Sequence, residues 1–295
     1  MSDMISAICV SMPSRYGFLQ RAIYNFAAQD YYDRELLIAI HDEEYFDKVS
    51  SWLLDSRHVN VDLSRVRVLR TTDPHIGNQA VEAFKESEGS YLAVWSDDNL
   101  SHVTRLSSQL EHSRGCATVV AMSFYYFYDS DELFITDYCQ PGRTLIEKCA
   151  VSSLIVKRDN FCCDSLQDSK PDDHWPSVLV KRLASVFPFQ QYCHLPEKED
   201  GFLFMQGVHS DNQRGVGYHR TLGSGLPLTW TREQVLSWSS VIDETLAGYM
   251  FPGESVDVAG KDAAACVISG TNICQWPLWL EPIFLNEKLM LDIEG

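Results

Sequence analysis

No apolar run in the chain approaches the roughly 20 residues that a helical membrane span requires, so no span is expected. Basic residues are also scarce. Lysine and arginine number 24 against 41 aspartates and glutamates, a formal charge of −17. A surface of that sign repels polyanions at long range, so nonspecific binding to nucleic acid or an anionic membrane is disfavoured without a local basic groove. The modest basic concentration of Lys148, Lys157, Arg158, Lys181 and Arg182 reads mainly as a solvated face. The nine cysteines follow no metal-site spacing, and no basic leader with a cleavage site precedes the first apolar run. Reduced thiols in a soluble, cytoplasmic protein are therefore expected. Internal repeats and low-complexity segments are absent as well. What is present is an ordinary globular composition, 45% hydrophobic and 12% aromatic over 295 residues, enough for a full α/β core.

Over the first 125 or so residues strand and helix signals alternate. Ile5 to Ser11 is a short β-type run ended by Pro13. Phe18, Leu19, Ala22, Ile23, Phe26 and Ala27 then recur at helical spacing, with Arg15 and Arg21 among the polar positions. Leu36 to Ile40 is a second apolar strand, halted by the polar cluster His41 to Glu44. Val66 to Leu69 is a third, and Val81 and Phe84 mark the inner face of a helix beginning near Asn78. Tyr91 to Trp95 is a fourth strand, broken by Ser96-Asp97-Asp98-Asn99, after which Val103, Leu106 and Leu110 resume a helix. Strands of four to seven apolar residues separated by helices predict a mainly parallel sheet covered on both faces. Ligands of such sheets sit beyond the carboxyl ends of the strands. Ser11 to Arg15, Asp42 to Glu44, Asp73 to Asn78 and Ser96 to Asn99 all fall at that edge.

The second half is less regular. Val119 to Phe127 reads as one long aromatic strand and Leu154 to Val156 as a short one. Asp172-Asp173-His174-Trp175-Pro176 precedes a helix with Val178, Leu179, Leu183 and Val186 on its inner face. Residues 201–225, rich in glycine and histidine, suggest a loop over the sheet edge. A first domain over 1–225, divided near 112 into a nucleotide-binding and an acceptor-binding half, and a helical extension over 226–295 are expected.

Ser96-Asp97-Asp98 carries the chemistry. Two adjacent carboxylates behind a buried strand repel each other, and a divalent cation relieves that cost. Mn2+ or Mg2+ suits carboxylate plus substrate phosphate oxygens. The competing structural explanation is that Asp98 or Asn99 caps a helix starting near Ser101.

The run Ile5 to Pro13, the helix to Gln29 and Tyr31 to Ile38 resemble the start of the family-two, GT-A fold glycosyltransferases. Gly77 to Ala80 and Ser87 to Asn99 are similar to the segment that carries that family's DxD motif, with Ser96 at its first acidic position. The resemblance implies an inverting transfer of a sugar from a nucleoside diphosphate, a UDP-sugar, to a hydroxyl acceptor. It implies metal ligation by Asp98 with Asp97 beside it. It also implies contact of Asp42 with the nucleotide base, although a solvated acidic loop explains Asp42 equally well. Pro13, Ser14 and Arg15 would border the nucleotide, Arg15 neutralising phosphate charge. Asn78 faces the same edge, with helix capping as its rival. Asp172-Asp173 occupies the station of the family's acidic pair, which makes Asp173 the base for the acceptor hydroxyl; capping of the following helix is the alternative. Residues 208–215 look like the family's late histidine loop, so His209 would reach the metal or diphosphate and Arg214 the anion, with His219 competing.

Two other functions are weighed. A sugar-nucleotide nucleotidyltransferase shares the parallel-sheet start, but its glycine-rich first turn is missing here, where Ser11 to Gly17 holds one glycine. A nucleotide-sugar-binding module that has lost turnover is favoured by Ser96 standing where an acid is expected. The acceptor class spans glycan, protein, metabolite and modified nucleobase, nucleic acid entering only as an acceptor substrate.

Overall fold

The computed structural model describes residues 3–54, 62–113, 115–120, 124–127, 132–135, 150–161, 175–186, 193–194 and 203–208. Asp172, Asp173, His209, Arg214 and the extension 226–295 lie outside the described residues.

The α/β class expected from the sequence is observed. Strands β1 (Ile5–Val10), β2 (Arg34–Ile40), β3 (Val66–Arg70) and β4 (Tyr91–Val94) are joined by helices α1 (Tyr16–Ala27), α2 (Glu43–Leu53) and α3 (Ile76–Lys85). After β4 come the two-residue strand β5 (Leu100–Ser101), helix α4 (Arg105–His112), β6 (Ala117–Thr118), β7 (Phe124–Phe127), β8 (Glu132–Ile135) and β9 (Ile155–Lys157). Helix α5 (Trp175–Val186), β10 (Cys193–His194) and β11 (Phe204–Val208) complete the described elements. The main sheet runs β10-β6-β9-β4-β1-β2-β3 and is parallel except where β9 pairs with β4 and β6. A second sheet, β5-β11-β7-β8, stands apart from it.

Side chains alternate across a strand, so a strand covered on both faces must be apolar throughout. Ile8, Leu37, Ala39, Leu92 and Val94 face α3 and α5, packing with Ala80, Val81, Phe84 and Leu179. Ala7, Cys9, Leu36, Ile38, Ile40 and Ala93 face the other way, against Leu19, Ala22, Ile23 and Phe26 of α1, Val49 of α2 and Leu106 of α4. Each fully buried Leu or Ile contributes about 1.5–3 kcal/mol, which makes these two layers the main stabilising term. Gly89, just before β4, donates its N–H to Ser6 Oγ at 2.7 Å. A Cβ there would stand 2.6 Å from the Met4 carbonyl oxygen, so only glycine permits this approach of the turn to β1.

Three readings of the sequence are corrected. The polar cluster after β2 opens helix α2, because Asp42 Oδ1 accepts the Tyr45 N–H at 2.7 Å and caps it. Of the single strand expected over Val119 to Phe127, the described strand is β7, Phe124–Phe127, in the second sheet; β6 ends before it at Thr118 in the main sheet, and 121–123 lie outside the described residues. Within the expected loop 201–225, Phe204–Val208 is a strand, paired in parallel with β7 and antiparallel with β5. Backbone pairing on both sides supplies what its short, glycine-containing sequence does not.

Candidate functional site

Capping does not explain the acidic pair. The helix after Asp98 begins at Arg105, beyond strand β5, and its N-cap position is Thr104. Asp97 and Asp98 instead sit on the turn that leaves β4, 1% and 5% exposed. Strand β4 is held centrally between β1 and β9, and Trp95, 2% exposed, fixes the turn's root by donating Nε1–H to the Ala22 carbonyl at 3.1 Å. Beyond the turn, Asn99 Oδ1 accepts the Gly207 N–H at 2.9 Å and ties the second sheet to the same point.

Protein donors meet all four carboxylate oxygens of the pair. Arg15 Nη1 donates to Asp97 Oδ1 at 2.9 Å and to Asp98 Oδ2 at 3.2 Å. Ser11 Oγ donates to Asp97 Oδ2 at 2.8 Å, and Ser96 Oγ to Asp98 Oδ1 at 2.8 Å. Since the Ser11 hydrogen points to Asp97, the Tyr45 hydroxyl, 3.0 Å from Ser11 Oγ, is the donor in that contact. Arg15 is placed by the 3-10 turn Pro13–Arg15, where its own N–H returns to the Met12 carbonyl at 2.9 Å. Pro13 pre-sets that turn.

Arg15 bridges two buried carboxylates, and the buried Arg21 guanidinium lies against the Asp98 carbonyl, so charges of both signs share a low-dielectric position. Burial pushes the Asp97 carboxyl above its ordinary range; Arg15 opposes the rise and Asp98 adds to it. Burial likewise raises the Tyr45 hydroxyl and the Cys9 thiol behind the pair, so Cys9 is an inert protonated core group and not a nucleophile. Because a raised acid is costlier ionised in the folded state than in the unfolded one, that cost is present above its folded pKa and fades as pH falls through it. Asp97→Asn is therefore expected to raise stability at neutral pH while weakening ligand binding. Ser11 Oγ can accept from the new amide. Melting curves at neutral and mildly acid pH check the sign, since the advantage over wild type should shrink in acid.

The pair opens on a cavity of about 330 Å³ at the carboxyl edge of the main sheet. Met12, Pro13 and Arg15 line it from the first turn, His41 and Asp42 from the second, and Pro74, Ile76 and Gln79 from the third. Ser152, Trp175, Pro176 and Gln206 line it as well. Asp42 thus both caps α2 and borders the cavity. Ser14 is not among the lining residues. Asn78 is not either: α3 starts at Ile76, and the Asn78 amide donates to Asp73 Oδ2 at 2.8 Å. Gln79 is 5% exposed; its Nε2 donates to the Pro74 carbonyl, and among the described residues no donor meets its Oε1. Also among the described residues, no three or more His, Cys, Asp or Glu side chains converge as a metal site. The acidic pair alone fits a divalent cation that draws its remaining donors from a substrate and water.

Sequence reasoning placed Ser11 at the ligand edge without a role, and missed Arg21, Gln79 and Trp175. Arg21, expected among polar positions, is 1% exposed and reaches toward the Asp98 carbonyl, with Nη2 at 3.5 Å. The signal for Ser11 was a hydroxyl closing an apolar strand beside Pro13. For Trp175 it was an aromatic next to an acidic pair.

No family model matches the chain, and no curated protein matches it. Solved structures do resemble it. TarS from S. aureus, residues 1–349 in complex with UDP-GlcNAc, is 9% identical with a TM-score of 0.49, over 96% of this chain and 79% of that one. Against a longer TarS structure the chain spans about half the length, 48%, at 13% identity and a TM-score of 0.45, with 96% of this chain covered. The mannosyltransferase PcManGT from Pyrobaculum calidifontis, in complex with GDP-Man and Mn2+, is 11% identical with a TM-score of 0.47, over 99% and 75% of the two chains. A nucleotidyl transferase from Methanothermobacter thermautotroptrophicus is 13% identical with a TM-score of 0.36, over 72% and 89%.

Proposed function

We propose that the chain is a metal-dependent, inverting glycosyltransferase that moves a hexosyl or pentosyl group from a nucleoside diphosphate sugar, a UDP-sugar, to a hydroxyl acceptor. The observation that carries this reading is the buried Asp97–Asp98 pair, bridged by Arg15, opening on a cavity at the carboxyl edge of a parallel sheet. A diphosphate brought alone to two carboxylates is repelled by them. A divalent cation, Mn2+ or Mg2+, held by Asp98 with Asp97 beside it and His209 nearby, reverses that balance and stabilises the departing diphosphate. Arg15 then serves the phosphates. Asp42 and Gln79, which line the same cavity, offer acceptors to the N–H and O–H groups of base and ribose. Asp173, with Asp172, takes the proton of the acceptor hydroxyl. The acceptor is a glycan, protein, metabolite or modified nucleobase.

A mass-spectrometric screen of nucleotide sugars for slow, Mn2+-dependent hydrolysis tests the proposal. One donor class should yield free sugar and nucleoside diphosphate. Tight nucleotide binding with no turnover would instead support a binding module, and neither binding nor hydrolysis would sink both readings.

A further inference from the structure

We infer that Arg15 is an exchangeable counter-ion that keeps divalent metal off Asp97 and Asp98 until a diphosphate draws it away. The inference rests on the donor reading above and specifies how that site is regulated. A single nitrogen, Arg15 Nη1, lies within hydrogen-bonding distance of one oxygen from each carboxylate, at 2.9 and 3.2 Å. It therefore occupies the space between one oxygen of each carboxylate, where a cation held by the pair would meet its charge. Two cations cannot share that position, since like charges at such separations repel strongly in a low-dielectric site. The remaining two oxygens are held by Ser11 and Ser96, so the pair is fully hydrogen-bonded in this state. A metal arriving alone must displace a charge-assisted bridge and receives no phosphate oxygens in exchange.

A diphosphate changes this balance. Arg15 lines the same cavity as the acidic pair, with its side chain 14% exposed, so phosphate in the cavity is within reach of a rotamer change. Guanidinium pairs with phosphate through two parallel N–H···O bonds, which compensates for the bridge it leaves. The vacated carboxylates then accept metal. Gln79 Oε1 is a separate sign that the cavity is built for a ligand, because this buried acceptor on its wall meets no protein donor among the described residues. Metal and nucleotide should accordingly bind with positive coupling, and by linkage each strengthens the other equally.

The test is calorimetric titration of Mn2+ alone into wild type, Arg15→Gln and Arg15→Lys, with UDP present in a parallel series. Arg15→Gln should bind Mn2+ alone about tenfold more tightly than wild type, and the gain from added UDP should shrink correspondingly. Arg15→Lys retains a positive charge and should stay near wild type, which keeps the test valid if the glutamine variant folds poorly. Asp98→Asn combined with Arg15→Gln should abolish the gain. Unchanged or weaker Mn2+ binding in Arg15→Gln, or equal tightening in Arg15→Lys, overturns the inference. Failure of the donor reading would show separately, as wild type that binds no UDP even with Mn2+.

Discussion

Asp98→Asn should lower Mn2+-dependent affinity for UDP by more than about 100-fold, a larger loss than is typical when a partner supporting a metal ligand is removed. The substitution is nearly isosteric. Asn keeps one oxygen to accept from Arg15 or Ser96, so the turn after β4 should hold its shape. What disappears is the charge at a position 5% exposed, where solvent screens little and each charge weighs heavily. Arg15 would then face one carboxylate, and the attraction of the pair for a divalent cation would fall with the lost charge. Calorimetry with UDP, with and without Mn2+, reads the outcome. Metal-dependent binding equal to that of wild type would remove Asp98 from the metal site. Melting temperature serves as the control, because a loss of binding with an unchanged melting curve cannot be attributed to unfolding.

The layers that present this residue were legible because β1, β2 and β4 are buried on both faces. Burial of that kind compels continuous apolar runs such as Leu36 to Ile40, and the polar residues ending them mark one sheet edge. The chemistry of Asp97 and Asp98 could be anticipated from their place after such a run. Their counter-ion could not: Arg15 is 82 and 83 residues away, and its pairing depends on the parallel register of β1 with β4. Buried Arg21 and Arg105 were hidden for the same reason. Arg105 is 1% exposed and is satisfied by Gln109, by Ser101 and by the Val94 carbonyl, while its guanidinium stacks on Trp95. Single-chain periodicity places an arginine in water by default, and only a network assembled from β4, β5 and α4 lets it be buried.

Helix α2 was missed for a different reason. Tyr45, Phe46, Val49, Trp52 and Leu53 do recur at helical spacing, but the acids Asp42 to Glu44 look like a strand terminator. The same acids cap a helix and favour its first turn through the macrodipole, so one cluster is consistent with both assignments. Strands β5 and β11 are defined by pairing and not by pattern. Two residues in β5 carry no period, and β11 is held by Asn99 and β7.

Asp173→Asn should leave UDP and Mn2+ affinities within about twofold of wild type and slow donor consumption by about 100- to 10,000-fold, the range for loss of a positioned general base. In a direct displacement the departing diphosphate and the attacking hydroxyl lie on opposite sides of the reacting carbon. A base must therefore approach from the side away from Arg15 and Asp98. Trp175 and Pro176, the residues that follow the acidic pair along the chain, line the cavity together with Ser152 and Gln206. Removing the carboxylate's charge leaves every phosphate and metal contact of the proposed donor site unaltered, so binding and turnover should separate. They should separate in the opposite sense from Asp98→Asn, which removes binding first. Single-turnover hydrolysis of the donor identified in the screen, run beside UDP titration, makes the comparison before any acceptor is known. If Asp173→Asn hydrolyses the donor at the wild-type rate, the base lies elsewhere. If it loses UDP binding as Asp98→Asn does, Asp173 belongs to the donor side of the site.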